Sequence, residues 1–200
     1  RIYLCLERYT EALPWLKRWR EMILSLNDDG SSEYKKRKAR LGYACYAIAC
    51  CYSSAGEHGD ADSYAQALKF IDLAIDSEHE VRQLCHCIYT KAELLHTLGR
   101  DEESLKLVKT LLSRAPRYFP ACLLCLEIYI SMEMTREAIQ EFYRAVRIYP
   151  AHPAPYEQIA KMLLKYHAEN QAMAIIDMAE KMSAVNDALR LIRMNCLKNL

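Results

Sequence analysis

The sequence predicts an all-α fold, a right-handed α-solenoid of stacked antiparallel helix pairs. Three observations carry this. Pro116 and Pro150 stand 34 residues apart, and that offset brings the apolar positions of successive segments into step. The apolar residues within each segment recur at i, i+3, i+4 and i+7, the spacing of one helix face. Five Gly and six Pro in 200 residues are too few for the many turns of a sandwich or barrel, and 52% hydrophobic residues are enough for a full core.

The clearest unit spans residues 85–116. Ile88, Ala92, Leu95 and Leu98 form the inner face of its first helix, which Gly99 ends, and Ser104, Leu105, Val108, Leu111 and Leu112 form the face of its second. Residues 119–150 repeat the pattern with Cys122, Cys125, Leu126, Tyr129 and Met132, then Ala138, Ile139, Phe142, Ala145 and Val146. Residues 153–184 do so again with Tyr156, Ile159, Ala160, Leu163 and Tyr166, then Ala172, Met173, Ile176 and Ala179. Ser104, Ala138 and Ala172 fall in one column and Ala145 and Ala179 in another, where short side chains let paired helices approach.

Three further segments complete the array. Residues 1–27 read as a partial repeat and residues 187–200 as the start of a further one. Both are the pattern of an internal slice of a longer repeat array. Residues 34–79 form an irregular pair, Leu41, Cys45, Ile48 and Cys51 facing Ala67, Phe70, Ile71 and Ala74. About ten extra residues lie near 53–63, whose polar, Gly-containing composition predicts an exposed loop.

The small, aromatic and proline columns, with LERYTEAL at Leu6 to Leu13 and REAIQEFYRAVRIYP at Arg136 to Pro150, resemble the tetratricopeptide repeat (TPR) family over most of the chain. Leu126 stands at a usually small place, Lys91 at a usually apolar one, and Ala184 where a unit's last proline is usual. The resemblance implies a TPR-like superhelix whose first helices line a concave groove with their second, fifth, ninth and twelfth places. Those places are His86, Tyr89, Glu93 and His96 in one unit, Leu123, Glu127 and Ile130 in the next, and Glu157, Lys161 and Leu164 in the third. Such a groove suits an extended or helical peptide. Family members that clamp chaperone C-terminal tails use Lys and Asn, where this sequence has Tyr89, Glu93, Leu124, Ala154 and Gln158, so that partner is disfavoured.

Charge excludes other classes. With 27 basic and 26 acidic residues the chain exerts no general pull on nucleic acid or anionic membrane, although residues 1–40 carry ten positive and six negative groups and residues 41–104 four and eleven. The basic run Lys35, Lys36, Arg37, Lys38 and Arg40 offers an alternative contact for RNA or an acidic protein. No apolar stretch approaches the ~20 residues that span a bilayer.

No Walker loop, dinucleotide fingerprint or catalytic triad pattern is present, so no catalytic residue and no cofactor are expected. Nine Cys at helical spacings read as reduced thiols of an intracellular protein, cytoplasmic or nuclear. Cys122 and Cys125 form a C-x-x-C, but both fall on core-facing places. Cys85, His86 and Cys87 are consecutive and point apart on a helix, and Cys45, Cys50 and Cys51 read as packing residues, so no metal site is expected. The functional expectation is a protein-binding scaffold within a larger assembly. An RNA-associated repeat protein and the substrate-recruiting arm of an enzyme stand as alternatives.

Overall fold

A computed structural model describes residues 9–25, 32–57, 61–77 and 81–199. The described residues hold ten α-helices and no strand. They group into two compact units, residues 1–104 and 105–200.

In the first unit, α1 (Tyr9–Leu24) packs on α2 (Ser32–Glu57), α2 on α3 (Ala61–Ser77) and α3 on α4 (Val81–Thr97). Cys45, Ala49, Ala67, Ile71, Ala74 and Leu94 share one buried cluster, and its small residues let the helix backbones close up. The loop expected near residues 53–63 is a correction. Residues 53–57 continue α2, residues 61–63 begin α3, and residues 58–60 lie outside the described residues. Gly56 explains the extension, because a Cβ there would stand 2.7 Å from the Tyr64 ring; without one, the end of α2 stays packed beside the start of α3. Lys91, at a usually apolar place, is accounted for by its ion pair with Asp72 at 2.6 Å. Helix α5 (Asp101–Arg114) begins in this unit, where buried Ser104 donates its hydroxyl to the Ala92 carbonyl at 2.6 Å.

The second unit continues α5 and adds the pair α6 (Phe119–Ser131) and α7 (Thr135–Ile148), the pair α8 (Pro153–Lys165) and α9 (Glu169–Lys181), and α10 (Asp187–Asn199). The partners of each pair pack together, α7 packs on α8 and α9 on α10, and the first helices α6, α8 and α10 also meet in succession. Leu126, Phe142, Tyr156, Ile159, Ile176 and Leu189 are buried in the core, and Ala138, Ala145, Ala172 and Ala179 are fully enclosed at the close approaches. Tyr156 donates its hydroxyl to the Pro150 carbonyl at 2.9 Å, tying the end of one pair to the start of the next.

The turns inside the pairs repeat as well. Gly99, Glu133 and His167, each 34 residues from the last, have φ of 71°, 58° and 53°. The amides of Arg100, Met134 and Ala168 then bond back to the carbonyls of Leu95, Tyr129 and Leu163, a left-handed helix cap in each case. Three residues expected in the core are exposed: Leu98, Ile139 and Tyr166. Leu98 and Tyr166 fall just beyond the ends of α4 and α8, where the helix face no longer directs them inward, and Ile139 lies at the edge of the stripe on α7.

Residues 1–8 and 26–31, which include part of the LERYTEAL motif, lie outside the described residues. No described helix is long and apolar enough to cross a membrane.

Candidate functional site

The first helices α6 and α8 enclose a cleft of about 450 Å³ lined by Glu127 and Ile130 from α6 and by Ala154, Glu157, Gln158, Lys161, Met162 and Lys165 from α8. Four of the expected groove residues, Glu127, Ile130, Glu157 and Lys161, therefore come together. Half-buried Leu123 and Leu164 do not line it. Sequence reasoning missed Met162 and Lys165 as lining residues. The signal was available, because 154, 157, 158, 161, 162 and 165 follow i, i+3, i+4, i+7, i+8 and i+11, and a helix presents a face about two residue rows wide.

Charge and polarity in this cleft are fixed by neighbours. Lys161 donates to Glu157 Oε1 at 2.5 Å and Asn186 donates to Oε2 at 3.2 Å, and the lysine bond above all holds the Glu157 carboxyl below the usual range. Asn186 also accepts the Leu189 amide at 2.9 Å, so it caps α10 while bracing Glu157. Gln158 differs. Its Oε1 is buried and meets no hydrogen-bond donor among the described residues.

The first unit presents a second strip on its first helices. The His86 and Tyr89 rings lie nearly parallel with centroids 6.5 Å apart, Tyr89 donates to Glu93 at 3.0 Å, and Tyr46 of α2 bonds His86 Nε2 at 2.8 Å. Three of the four expected residues of this repeat thus cluster, joined by Tyr46, which the irregular repeat obscured. His96 stands apart. Its Nδ1 lies 2.6 Å from Asp101 Oδ1, so it bridges to the first turn of α5. In the basic run, Lys36 and Arg40 are exposed one helical turn apart on α2; the side chains of Lys35, Arg37 and Lys38 lie outside the described residues.

Comparison with known proteins agrees with this geometry. Residues 119–152 match the family model for the tetratricopeptide repeat. Among solved structures, the chain resembles YrrB, described as a TPR protein with an unusual peptide-binding site, at 14% identity and a TM-score of 0.64, over 98% of this chain and 87% of that one. The chain is thus a helical repeat protein with the fold of TPR proteins, and one of its repeats, residues 119–152, matches the family model itself. The TPR fold is also shared with MamA from Desulfovibrio magneticus RS-1, at 17% identity and a TM-score of 0.66 over 92% of this chain and 91% of that one. PilF of Pseudomonas aeruginosa aligns at 16% identity and a TM-score of 0.68 over 98% of this chain and 78% of that one. No curated protein matches the sequence.

The cysteines take their places within these helix pairs. Cys122 and Cys125 are buried in α6, and burial above all pushes their thiols up to about 11 and about 12. Cys85 and Cys87 are buried while His86 between them is exposed, the divergence that consecutive helical positions impose.

Proposed function

We propose that this protein is a protein-binding scaffold or adaptor, a subunit of a larger intracellular complex, that holds an extended or helical segment of a partner against its first helices. The tetratricopeptide-type fold suggests a protein–protein interaction scaffold, since stacked helix pairs offer a long surface without enclosing a catalytic centre. We assign it no catalytic residue and no cofactor.

The observation that carries this reading is the cleft between α6 and α8. Ile130 and Met162 give it apolar lining, the Glu157–Lys161 pair supplies both charges, and Gln158 Oε1 lacks a donor. An extended peptide brings a row of main-chain N–H groups with apolar side chains between them, which is the complement such a surface requires. The peptide-binding site described for YrrB supports the same use of the fold. In the first unit, Tyr89 and His86 supply aromatic area for a second anchor.

The test starts from peptides selected by display against the intact chain and measures their affinity for variants that circular dichroism shows to be folded. Ile130→Asp and Gln158→Leu are each expected to weaken binding about tenfold or more, whereas Lys36→Glu mainly alters the association rate. If the groove variants bind normally while Lys36→Glu abolishes binding to peptide or to RNA, the basic segment is the site and this reading fails.

A further inference from the structure

The second helices α7 and α9 both pack on α8, and between them opens an apolar crevice of about 270 Å³ lined by Ile139 and Tyr143 from α7, Ile159 and Leu163 from α8, and Ile175 and Met178 from α9. It belongs to the second helices, whereas the α6–α8 cleft belongs to the first. Solvent reaches it, since Ile139 is 38% exposed and Tyr143 50%. The repeat does not require apolar groups here. At the offset of 34 residues, five of these six places in the preceding repeat hold Lys109, Cys125, Tyr129, Glu141 and Arg144, around a crevice of about 400 Å³. Apolar groups left open to water where the neighbouring repeat has three charged ones are a feature of this repeat rather than of the fold, and such a surface marks a contact with another molecule.

Charge identifies that molecule. Arg136 precedes Ile139 by three residues, Arg147 follows Tyr143 by four and Lys181 follows Met178 by three, so each stands next to the crevice on its helix surface. All three are exposed, and none pairs with an acidic group among the described residues. The neighbouring carboxylates are engaged elsewhere: Asp177 and Glu180 both pair with Arg193 of α10, and Glu141 pairs with Arg144. Helix dipoles account for Arg147 and Lys181, which sit in last turns, but not for Arg136, which stands in the first turn of α7 where a cation is disfavoured.

We propose that this crevice docks an amphipathic helix of a partner protein, one that carries acidic side chains beside its apolar stripe. Apolar residues one helical turn apart enter between α7 and α9, and the carboxylates meet Arg136 and Arg147 on one side and Lys181 on the other. The dimensions suit such a helix. Arg136 and Arg147 are 11 residues apart, about 16 Å along α7, so a partner helix of about three turns spans them. A recess walled by three helices receives inserted side chains, which a flat lipid surface does not supply.

The experiment displays helix-forming peptides of about 15 residues whose apolar stripe draws on Leu, Ile, Phe and Met and whose flanking positions draw on Glu, Lys and Gln. Met178→Arg installs the residue type that the preceding repeat holds at this place, so it should stay folded, as circular dichroism checks. The library is depleted on that variant and then selected on the natural chain. The surviving peptides are expected to favour Glu over Lys at the flanks and to bind with a Kd between about 1 and 100 μM by fluorescence anisotropy. Arg136→Glu combined with Arg147→Glu should weaken them about tenfold or more and should tighten the same peptides made with Lys for Glu, a swap that altered folding does not produce. Ile130→Asp in the α6–α8 cleft should leave binding unchanged. The proposal fails if no peptide survives the depletion, if Lys-flanked peptides bind the natural chain as well as Glu-flanked ones, or if Ile130→Asp abolishes binding. Phosphatidylserine vesicles that bind the natural chain but not Met178→Arg, with no peptide surviving, would make the surface a lipid contact instead.

Discussion

Glu141 sits at a core place of its repeat, and its burial has a consequence for stability. Desolvation dominates over the attraction of Arg144 and the bond with the Cys122 thiol, so the carboxyl is raised above the ordinary 4.5 in the folded protein. The folded state therefore holds a proton that the unfolded state has released. Stability from this group is fully present below pH 4.5 and is lost as pH rises through the folded value. Urea midpoints measured from about pH 4 to 8 should fall with pH more steeply for the natural chain than for Glu141→Gln, which cannot titrate there. Parallel curves would show that Glu141 is not held in an unfavourable environment. The sequence held a signal for this residue, because 141 lies three residues after Ala138 and four before Ala145, on the apolar stripe. Phe142 beside it occupies the same stripe and drew the reading instead.

At the scale of the element, the turns between paired helices were only partly legible. Gly99 marked one of them, since it alone is the residue type that accepts the left-handed conformation at no cost. Glu133 and His167 hold the same conformation with side chains that disfavour it. Sequence reasoning passed over them because the strain lies in the backbone rather than in the pattern. His167 is the better test. Its side chain is almost fully exposed, and its nearest charged neighbour, Glu169, stands 4.0 Å away. His167→Gly should stabilise the chain by about 0.5–1 kcal/mol, the relief of left-handed strain less the extra freedom Gly gives the unfolded state. A lower denaturation midpoint at unchanged m would contradict this account of the turn. The α2–α3 connection failed to read for a related reason. Polar composition at 53–63 signalled a loop, while the deciding fact, the Tyr64 ring seated against Gly56, depends on a tertiary contact that local composition does not encode.

Across the whole molecule, the 34-residue period made the helix pairs legible because each pair must bury the same face against its neighbours, and the enclosed alanines of α7 and α9 are the direct product. Groove membership read less well: a helix face is two rows wide, and the family places name only some of it. The thiols offer a probe of the array as a whole. They recur from α2 to α10 in buried positions, and burial pushes Cys51 and Cys122 up to about 11 and Cys125 to about 12. At pH 8 such thiols are ionised in only about one molecule in 10³–10⁴, against about one in four at an unperturbed pKa near 8.5. Alkylation is therefore gated both by access and by the missing thiolate, and opening a helix pair lifts both restraints together. Native protein treated with iodoacetamide and read by peptide mass spectrometry should show Cys51, Cys122 and Cys125 modified at least about a hundredfold more slowly than in concentrated urea. With rising urea, cysteines on packed neighbouring helices should become reactive together, since each helix loses its cover when its neighbour opens. Rapid labelling of Cys122 and Cys125 in the native chain would mean that α6 does not bury them, and the core assigned to that repeat would have to be redrawn.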